Sequence, residues 1–250
     1  MRLTPAGELL RDECEHLFAV EADILRKLRS TDGRKRSYSV GGTVTAGSFL
    51  LIGMNAVYQK EHPNRVLHLK IERPEALYRM LAAGELTLAL TDAPYDRAYF
   101  LSEPYCLDRL VPVFAPGYRK RRTFSLGEYI REGGPFILDE SGAGGRAELE
   151  RFVREHGLPE IDPARITEVC SPDAVKMLVQ AGGGISVLSE LVVENEVKAG
   201  VLRSGGFTEG EILRRVDFIY TASGDQRFIN EFIRFGRKHM GRSLLHPTGK

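Results

Sequence analysis

The sequence predicts an α/β protein of two lobes preceded by one long helix, and three observations carry that prediction. Strand-like and helix-like segments alternate from Tyr38 to Thr91 and again from Phe136 to Lys198. A long strand from Ile212 to Tyr220 and an amphipathic helix after it stand beyond the second set, placed to return to the first lobe. Ahead of both sets, Pro5 to Arg29 carries the periodicity of a single helix. At 250 residues the chain exceeds the usual single-domain size, which agrees with more than one unit. The expected division is a helix and linker over 1–36, lobe I over 37–115 plus 212–240, and lobe II over 116–211.

The N-terminal helix has Thr4 as its N-cap, Pro5 at the first helical position and Asp32-Gly33 beyond its end. Leu10, Cys14, Leu17, Glu21, Ile24 and Leu28 recur at alternating spacings of four and three, the seam of a two-stranded coiled coil interrupted by Glu21. A helix packed on its own domain would show the same spacing. The polar run Thr31 to Arg36 behind it reads as a linker.

Lobe I opens with a short strand from Tyr38 to Thr43. A helix from Ala46 to Glu61 follows, with Phe49, Leu50, Met54 and Val57 on its inner face and His62-Pro63 at its end. Val66 to Ile71 is a strand. Pro74 to Ala83 is a helix with Leu77, Met80 and Leu81 inward and Gly84 just past it, and Leu86 to Thr91 is a third strand. This βαβαβ order implies parallel pairing. Leu110 to Ala115 is an apolar run whose Pro112 argues for an edge or a bulge.

Lobe II repeats the alternation. Phe136 to Leu138, Ile166 to Val169 and Ile185 to Leu188 read as strands, and Gly144 to His156, Pro172 to Ala181 and Glu190 to Lys198 as helices. Gly182-Gly183-Gly184 follows a helix and reads as a C-cap and tight turn. The closing helix is capped by Asp225 and has Phe228, Ile229, Phe232 and Phe235 on one side.

In an open parallel sheet, ligands bind beyond the carboxyl ends of the strands, where helix N-termini present free amides. Three turns rich in glycine or hydroxyl side chains occupy that position: Gly42 to Ser48, Asp139 to Arg146 with Ser141 and Gly142, and Cys170 to Asp173 with Ser171 and Pro172. Together they suit a small anion or carboxylate in a shared cleft, while Asp139, Glu140 and Asp173 would repel an anion close to them and leave the ligand's charge open. Singly, Thr45, Ser141 and Ser171 read as ordinary N-caps that satisfy their own helices. Thr91, after the third strand, is a lining candidate, and Asp92 beside it reads as a turn former. Arg146 reads as an exposed helix arginine, with pairing to a ligand carboxylate as the functional alternative.

Chemistry of other kinds finds little support. The six histidines are scattered and no nucleophile-elbow or His-Glu-x-x-His motif is present, so no catalytic residue, no metal ligand and no cofactor is assigned. Cys14, Cys106 and Cys170 lie far apart, which fits neither a disulfide framework nor a zinc site and agrees with a reducing cytoplasm. Cys170 reads as a buried inert cysteine, a thiol sensor being the alternative. A net charge of +1 gives no global case for nucleic acid, and Arg119-Lys120-Arg121-Arg122 reads as a solvated loop. The sequence has no signal-peptide h-region and no apolar run of bilayer length, so no membrane role is expected.

Several of these segments resemble the LysR-type transcriptional regulators. Leu3-Thr4-Pro5-Ala6-Gly7-Glu8-Leu9-Leu10 is similar to the close of that family's winged helix-turn-helix and the start of its linker helix. Val40 to Gly47 is similar to the family's first effector-domain turn, and Leu81-Ala82-Ala83-Gly84-Glu85-Leu86-Thr87-Leu88-Ala89-Leu90 to its "aGelDlal" segment. Asp139 to Gly142 and Ser171 to Glu190 match the second lobe, and the order and spacing of all these segments together are specific. The resemblance implies a periplasmic-binding-protein-like effector domain with hinge strands, binding a small inducer between its lobes. It implies ligand contacts at Thr43, Thr45, Ser48, Ser141 and Ser171, and a homodimer or homotetramer formed through the linker helix and effector domain. DNA would be reached only through a recognition helix N-terminal to Leu3-Thr4-Pro5. This sequence alone is therefore expected not to read an operator, being either a shortened form or a headless homologue able to form mixed dimers. A free solute-binding protein of the same fold is the alternative, and it should show a signal peptide and no coiled-coil helix.

Overall fold

The structure is a computed structural model that describes residues 36–139 and 144–239 throughout, together with positions 4, 6, 7, 10, 13, 14, 17, 21 and 24. In chain order its elements begin with β1 (Arg36–Gly42), a π-helical turn (Ala46–Leu51) running into α1 (Ile52–Glu61), β2 (Arg65–Ile71), α2 (Pro74–Ala82), β3 (Leu88–Thr91) and β4 (Leu101–Phe114). Next come β5 (Thr123–Phe124), α3 (Leu126–Arg131), β6 (Phe136–Leu138), α4 (Gly144–Glu155), a 3-10 turn (Pro163–Arg165), β7 (Ile166–Glu168) and α5 (Pro172–Gln180). The chain continues through β8 (Ser186–Ser189), α6 (Glu190–Lys198), β9 (Arg203–Ser204), β10 (Gly206–Phe207), β11 (Ile212–Tyr220) and α7 (Gln226–His239).

At its N-terminal end the Gly7 amide donates to Thr4 Oγ1 at 3.2 Å, the N-cap bond that the sequence anticipates. Leu10, Cys14, Leu17, Glu21 and Ile24 are all helical and all exposed. Leu28 and the linker residues 31–35 lie outside the described residues.

The chain divides into two compact units, Met1–Cys106 with Val216–Lys250, and Leu107–Arg215. It passes between them within β4 and within β11.

In the first unit β1 pairs in parallel with β2 on one side and β3 on the other, and β11 joins β3 antiparallel with Asp217 opposite Thr91. The two faces of this sheet are filled separately. Gly41 carries no side chain because a Cβ there would lie 2.5 Å from Leu77 Cδ1, on the face packed by Leu77, Leu81, Leu86 and Phe100. On the other face the Tyr38 ring stacks on Phe228 of α7 with centroids 3.7 Å apart. Phe228, Ile229, Phe232 and Phe235 are all buried, and the Phe228 amide donates to Asp225 Oδ1 at 3.1 Å, as the sequence requires.

The first helix departs from expectation. The side chains it buries are Leu50, Leu51, Met54 and Tyr58, while Phe49 and Val57 are exposed. The cause is the π-helical turn at its start, whose extra residue rotates the inward face by one position relative to a regular helix.

The second unit is built on β4, which pairs antiparallel with β8 and β9, on the parallel pair β6 and β7, and on the parallel pair β5 and β10. Alternate residues of β4 serve two cores. Leu110 and Phe114 join Phe124, Tyr129, Phe136, Leu149 and Phe152, whereas Val111 and Val113 join Ile137, Val175, Val179 and Val193. Pro112 is neither at an edge nor in a bulge: it lies within the β4–β8 ladder opposite Val187. Its carbonyl accepts from the Gly205 amide at 3.0 Å, so its polar side faces the end of two-residue β9, where one missing N–H is tolerated.

The glycine triplet behaves as read. Gly182 has φ 82°, the Gly182 amide donates to Val179 O, and a Cβ on Gly184 would sit 2.3 Å from Pro135 O. The short elements β5, α3, β9 and β10 fall where the sequence shows no periodicity.

Candidate functional site

The carboxyl ends of β1 and β3 carry the first candidate turn. The Thr43 amide donates to Leu90 O at 3.1 Å and the Gly47 amide to Thr43 O at 2.6 Å, so the chain folds back tightly after β1. Such a turn needs glycine at both contact points. A Cβ on Gly42 would lie 2.5 Å from Gly47 Cα and 2.9 Å from Gly47 N.

The hydroxyls at this end fall into two groups. Thr43 is buried and donates to Asp92 Oδ1 at 2.5 Å. Thr91, also buried, shares a 2.7 Å hydrogen bond with the Tyr78 hydroxyl and accepts from the Ala93 amide at 3.2 Å. Burial pushes the Tyr78 phenol up to about 12, so it stays protonated and able to donate near neutrality. Both threonines are therefore engaged inside the unit. Thr45 and Ser48 are half-buried, and neither hydroxyl has a partner among the described residues; Thr45, at the N-cap position, makes no capping bond.

Asp92 does more than the sequence reading assigns it. It stands in the bend after β3 and is also a buried acceptor that ties the end of β3 to the turn after β1. Tyr95 adds a second tie, donating to Asp217 Oδ2 on β11 at 2.6 Å.

In the second unit the carboxyl ends of β6 and β7 lie side by side, with Leu138 opposite Glu168. Ser141 and Gly142 lie outside the described residues. Ser171 occupies the N-cap position of α5 without making a side-chain cap bond and is exposed; Pro172 takes the first helical position. Its hydroxyl, like those of Thr45 and Ser48, has no partner among the described residues.

Arg146 is neither exposed nor held open for a ligand. Its side chain is 12% exposed, and it donates to Glu150 Oε1 at 2.9 Å, to Glu168 Oε2 at 2.5 Å and to Asp139 O at 3.1 Å. That pairing binds α4 to β7 and to the end of β6. Cys170 is exposed rather than buried, because β7 ends two residues earlier and the strand's interior has already been left.

The sequence reading missed a buried polar group on β4, β8 and β11. Arg214 Nε donates to Asp108 Oδ2 and Ser189 Oγ donates to Asp108 Oδ1, both at 2.7 Å, with the Asp108 and Arg214 side chains 3% and 4% exposed. The available signal was weak, since Asp108 is followed by Arg109 in β4 and Arg214 by Arg215 in β11. A Cβ on Gly145, at the start of α4, would lie 3.8 Å from Arg214 Nη1, so this guanidinium reaches the edge of the second candidate turn.

Two α/β units, each turning its hydroxyl-bearing loops to the carboxyl ends of parallel strands, define a two-unit binding domain of the α/β class. The chain belongs to the LysR substrate-binding-domain family, whose model, "LysR substrate binding domain", matches residues 31–241. Among curated relatives it is 27% identical over 196 residues to the HTH-type transcriptional regulator YeiE of Escherichia coli K12, covering 78% of this chain and 64% of that protein. The chain thus spans just under two thirds of the length of that regulator. Among solved structures it is similar to the CcmR regulatory domain of Synechocystis PCC6803 in complex with 2-PG, with a TM-score of 0.69 and 19% identity over 81% of this chain and 98% of that one. A full-length OxyR variant from Pseudomonas aeruginosa matches 99% of this chain and 81% of its own, with a TM-score of 0.72 and 19% identity. These structures share the fold, confirming the two-lobed, periplasmic-binding-protein-like α/β class. Among the described residues no helix is long and apolar enough to cross a membrane.

Proposed function

We propose that this chain is the effector-sensing and oligomerising part of a LysR-type transcription regulator, a cytoplasmic protein without enzymatic activity. It binds a small anionic metabolite through the turns at the strand ends of its two units, and reaches DNA through the helix-turn-helix that whole regulators carry. The observation that carries this reading is the set of hydroxyls at Thr45, Ser48 and Ser171, which lie at those strand ends and make no hydrogen bond among the described residues. Because Arg146 is consumed by Glu150 and Glu168, the anion is met by hydroxyls and backbone amides. Ser141 and Gly142 belong to the same proposed set. Thr43, Thr91 and Pro172 shape it.

The complex of the CcmR regulatory domain with 2-PG supports a small molecule as the ligand class. The relatives are regulators, which disfavours a free solute-binding protein.

A thermal-shift screen of the chain against small carboxylates, amino acids, sulfur metabolites and inorganic anions tests the sensing role. A ligand at a hundred times its dissociation constant adds roughly 2.7 kcal/mol, or about 5–10 °C for a chain of this size. A selective shift that Thr45→Val and Ser171→Ala both abolish supports the reading, and a shift surviving both substitutions refutes the site.

Self-association is proposed through the N-terminal helix, whose Leu10, Leu17 and Ile24 are 65%, 65% and 51% exposed on one stripe. Light scattering of Leu10→Asp/Leu17→Asp should show a smaller oligomer than the parent chain.

A further inference from the structure

The second unit contains a basic groove that the strand-end turns do not use. It has a volume of about 600 Å³ and is lined by Arg119, Lys120, Arg121, Thr123, Phe124 and Glu128, among others, from the loop after β4, from β5 and from α3. Arg119 is held in place: its guanidinium lies 4.1 Å from the Phe124 ring centroid and 5.1 Å from that of Tyr129. Tyr129 is fixed in turn by donating to Pro135 O at 2.8 Å and by a 3.1 Å bond with the Tyr118 hydroxyl. A guanidinium seated on aromatic faces keeps its edge N–H groups free to meet an oxyanion.

The cations of this groove are clustered without ion pairs, whereas several other arginines of the molecule are held by carboxylates. Arg65, Arg109, Arg146 and Arg151 are each paired with one or two carboxylates. None of Arg119, Lys120, Arg121 or Arg122 has a carboxylate within 4.0 Å among the described residues. The nearby Glu209 is already engaged by the Ser125 hydroxyl and the Leu126 and Gly127 amides, at 2.7, 3.1 and 2.9 Å. Those hydrogen bonds do not neutralise Glu209, so three lining cations face two carboxylates, Glu128 and Glu209, and the groove keeps a local excess of one positive charge. A bound dianion would remove their mutual repulsion.

The geometry selects the kind of anion. Arg119 covers one face of Phe124 and of Tyr129, and the lining Tyr118 is tied at its hydroxyl to Tyr129, so the groove offers guanidinium and ammonium donors more than ring faces. A concave site with forked donors, a point charge on Lys120 and a threonine hydroxyl suits a compact phosphoryl group. We propose that this groove is a second anion site, one that takes the phosphoryl end of a small phosphorylated metabolite and is separate from the effector turns.

The test is calorimetric titration of the full chain with inorganic pyrophosphate, alongside Lys120→Ala/Arg121→Ala and Thr45→Val/Ser171→Ala. Lys120 and Arg121 are exposed, so the first variant should fold as the parent does. Saturable binding that weakens as salt rises, falls roughly tenfold or more in Lys120→Ala/Arg121→Ala and persists in Thr45→Val/Ser171→Ala supports the groove. No saturable binding at low salt, equal affinity in the Lys120/Arg121 variant, or loss only in the Thr45/Ser171 variant overturns it. So does binding of random-sequence duplex DNA that depends on Lys120 and Arg121 while pyrophosphate neither binds nor competes. The effector reading fails by a different result, the absence of any shift that depends on Thr45 and Ser171.

Discussion

Replacing Asp108 by Ala should be among the most damaging single changes in the second unit. The Asp108 and Arg214 side chains are 3% and 4% exposed, and Asp108 accepts from both Arg214 Nε and Ser189 Oγ at 2.7 Å. Removing the carboxylate takes the acceptor from the buried Arg214 Nε and from the Ser189 hydroxyl, which keeps only its bond from the Leu191 amide. Breaking one side of a buried pair costs about 3–5 kcal/mol, whereas replacing both partners by apolar residues of similar volume is often neutral or stabilising by roughly 1–4 kcal/mol. At about 2–4 °C per kcal/mol for a chain of this size, Asp108→Ala should lower the unfolding midpoint by roughly 6–20 °C. Asp108→Leu/Arg214→Met should recover most of that loss, giving a coupling on the order of 3 kcal/mol in the double-mutant cycle. The chain has no tryptophan, so circular dichroism in urea and on heating is the suitable probe. If Asp108→Ala unfolds within 1–2 °C of the parent, or if the double variant is no more stable than the single one, the argument from desolvation is wrong.

Three other outcomes follow from the same coordinates. Gly42→Ala places a methyl group 2.5 Å from Gly47 Cα, a backbone atom that cannot rotate away, so it should cost about 1–3 kcal/mol and speed hydrogen exchange at the Gly47 amide. Glu209 is subject to burial, which raises its pKa, but the Gly127 amide, the Ser125 hydroxyl and the Leu126 amide outweigh that and hold it at about 2 against an ordinary 4.5. Its folded value lies below its unfolded one, so its contribution is fully present above about pH 4.5 and lost as pH falls towards 2. Glu209→Gln should therefore flatten the acid limb of the stability profile between those values. In the first unit, burial alone would raise the Glu231 pKa, but bidentate bonding by Arg65 and a hydroxyl bond from Tyr58 lower it. Glu231→Gln should cost about 1 kcal/mol near neutrality, detected as a lower urea midpoint, with the difference vanishing in acid.

Most elements long enough to show a period were legible. The long strand β11 and the four-residue stripe of α7 lie at the residues where the pattern places them, whereas of β4 only the apolar end from Leu110 was read. Failures cluster where local geometry overrides pattern. A π-helical turn, which no periodicity announces, displaced Phe49 and Val57 outward and drew in Leu51 and Tyr58. Two-residue strands such as β5 and β9 are too short to carry a period, and α3 is fixed by a cap: Ser125 Oγ accepts from the Glu128 amide at 3.1 Å while Glu209 meets the two preceding amides. Long-range ion pairs were invisible for a different reason. Asp108 and Arg214 are 106 positions apart, and only the folded sheet brings them together.

The candidate site shows the same limit more sharply, because residue type and position in the turn do not reveal which hydroxyls are already spoken for. Thr43 and Thr45 are two residues apart in one loop, yet Thr43 donates to buried Asp92 whereas Thr45 donates to nothing described. Their valine variants should therefore diverge. Thr43→Val leaves Asp92 one donor short in a buried setting, a loss of about 1–3 kcal/mol, and it should lower the midpoint with or without ligand. Thr45→Val removes no internal bond and should stay within about 0.5 kcal/mol of the parent, while abolishing the ligand-induced shift. Measured together in the thermal-shift assay, the pair separates a hydroxyl that builds the turn from one offered to an effector. Equal loss of ligand response at equal stability in both variants would show that Thr43, despite its bond to Asp92, is itself part of the binding surface.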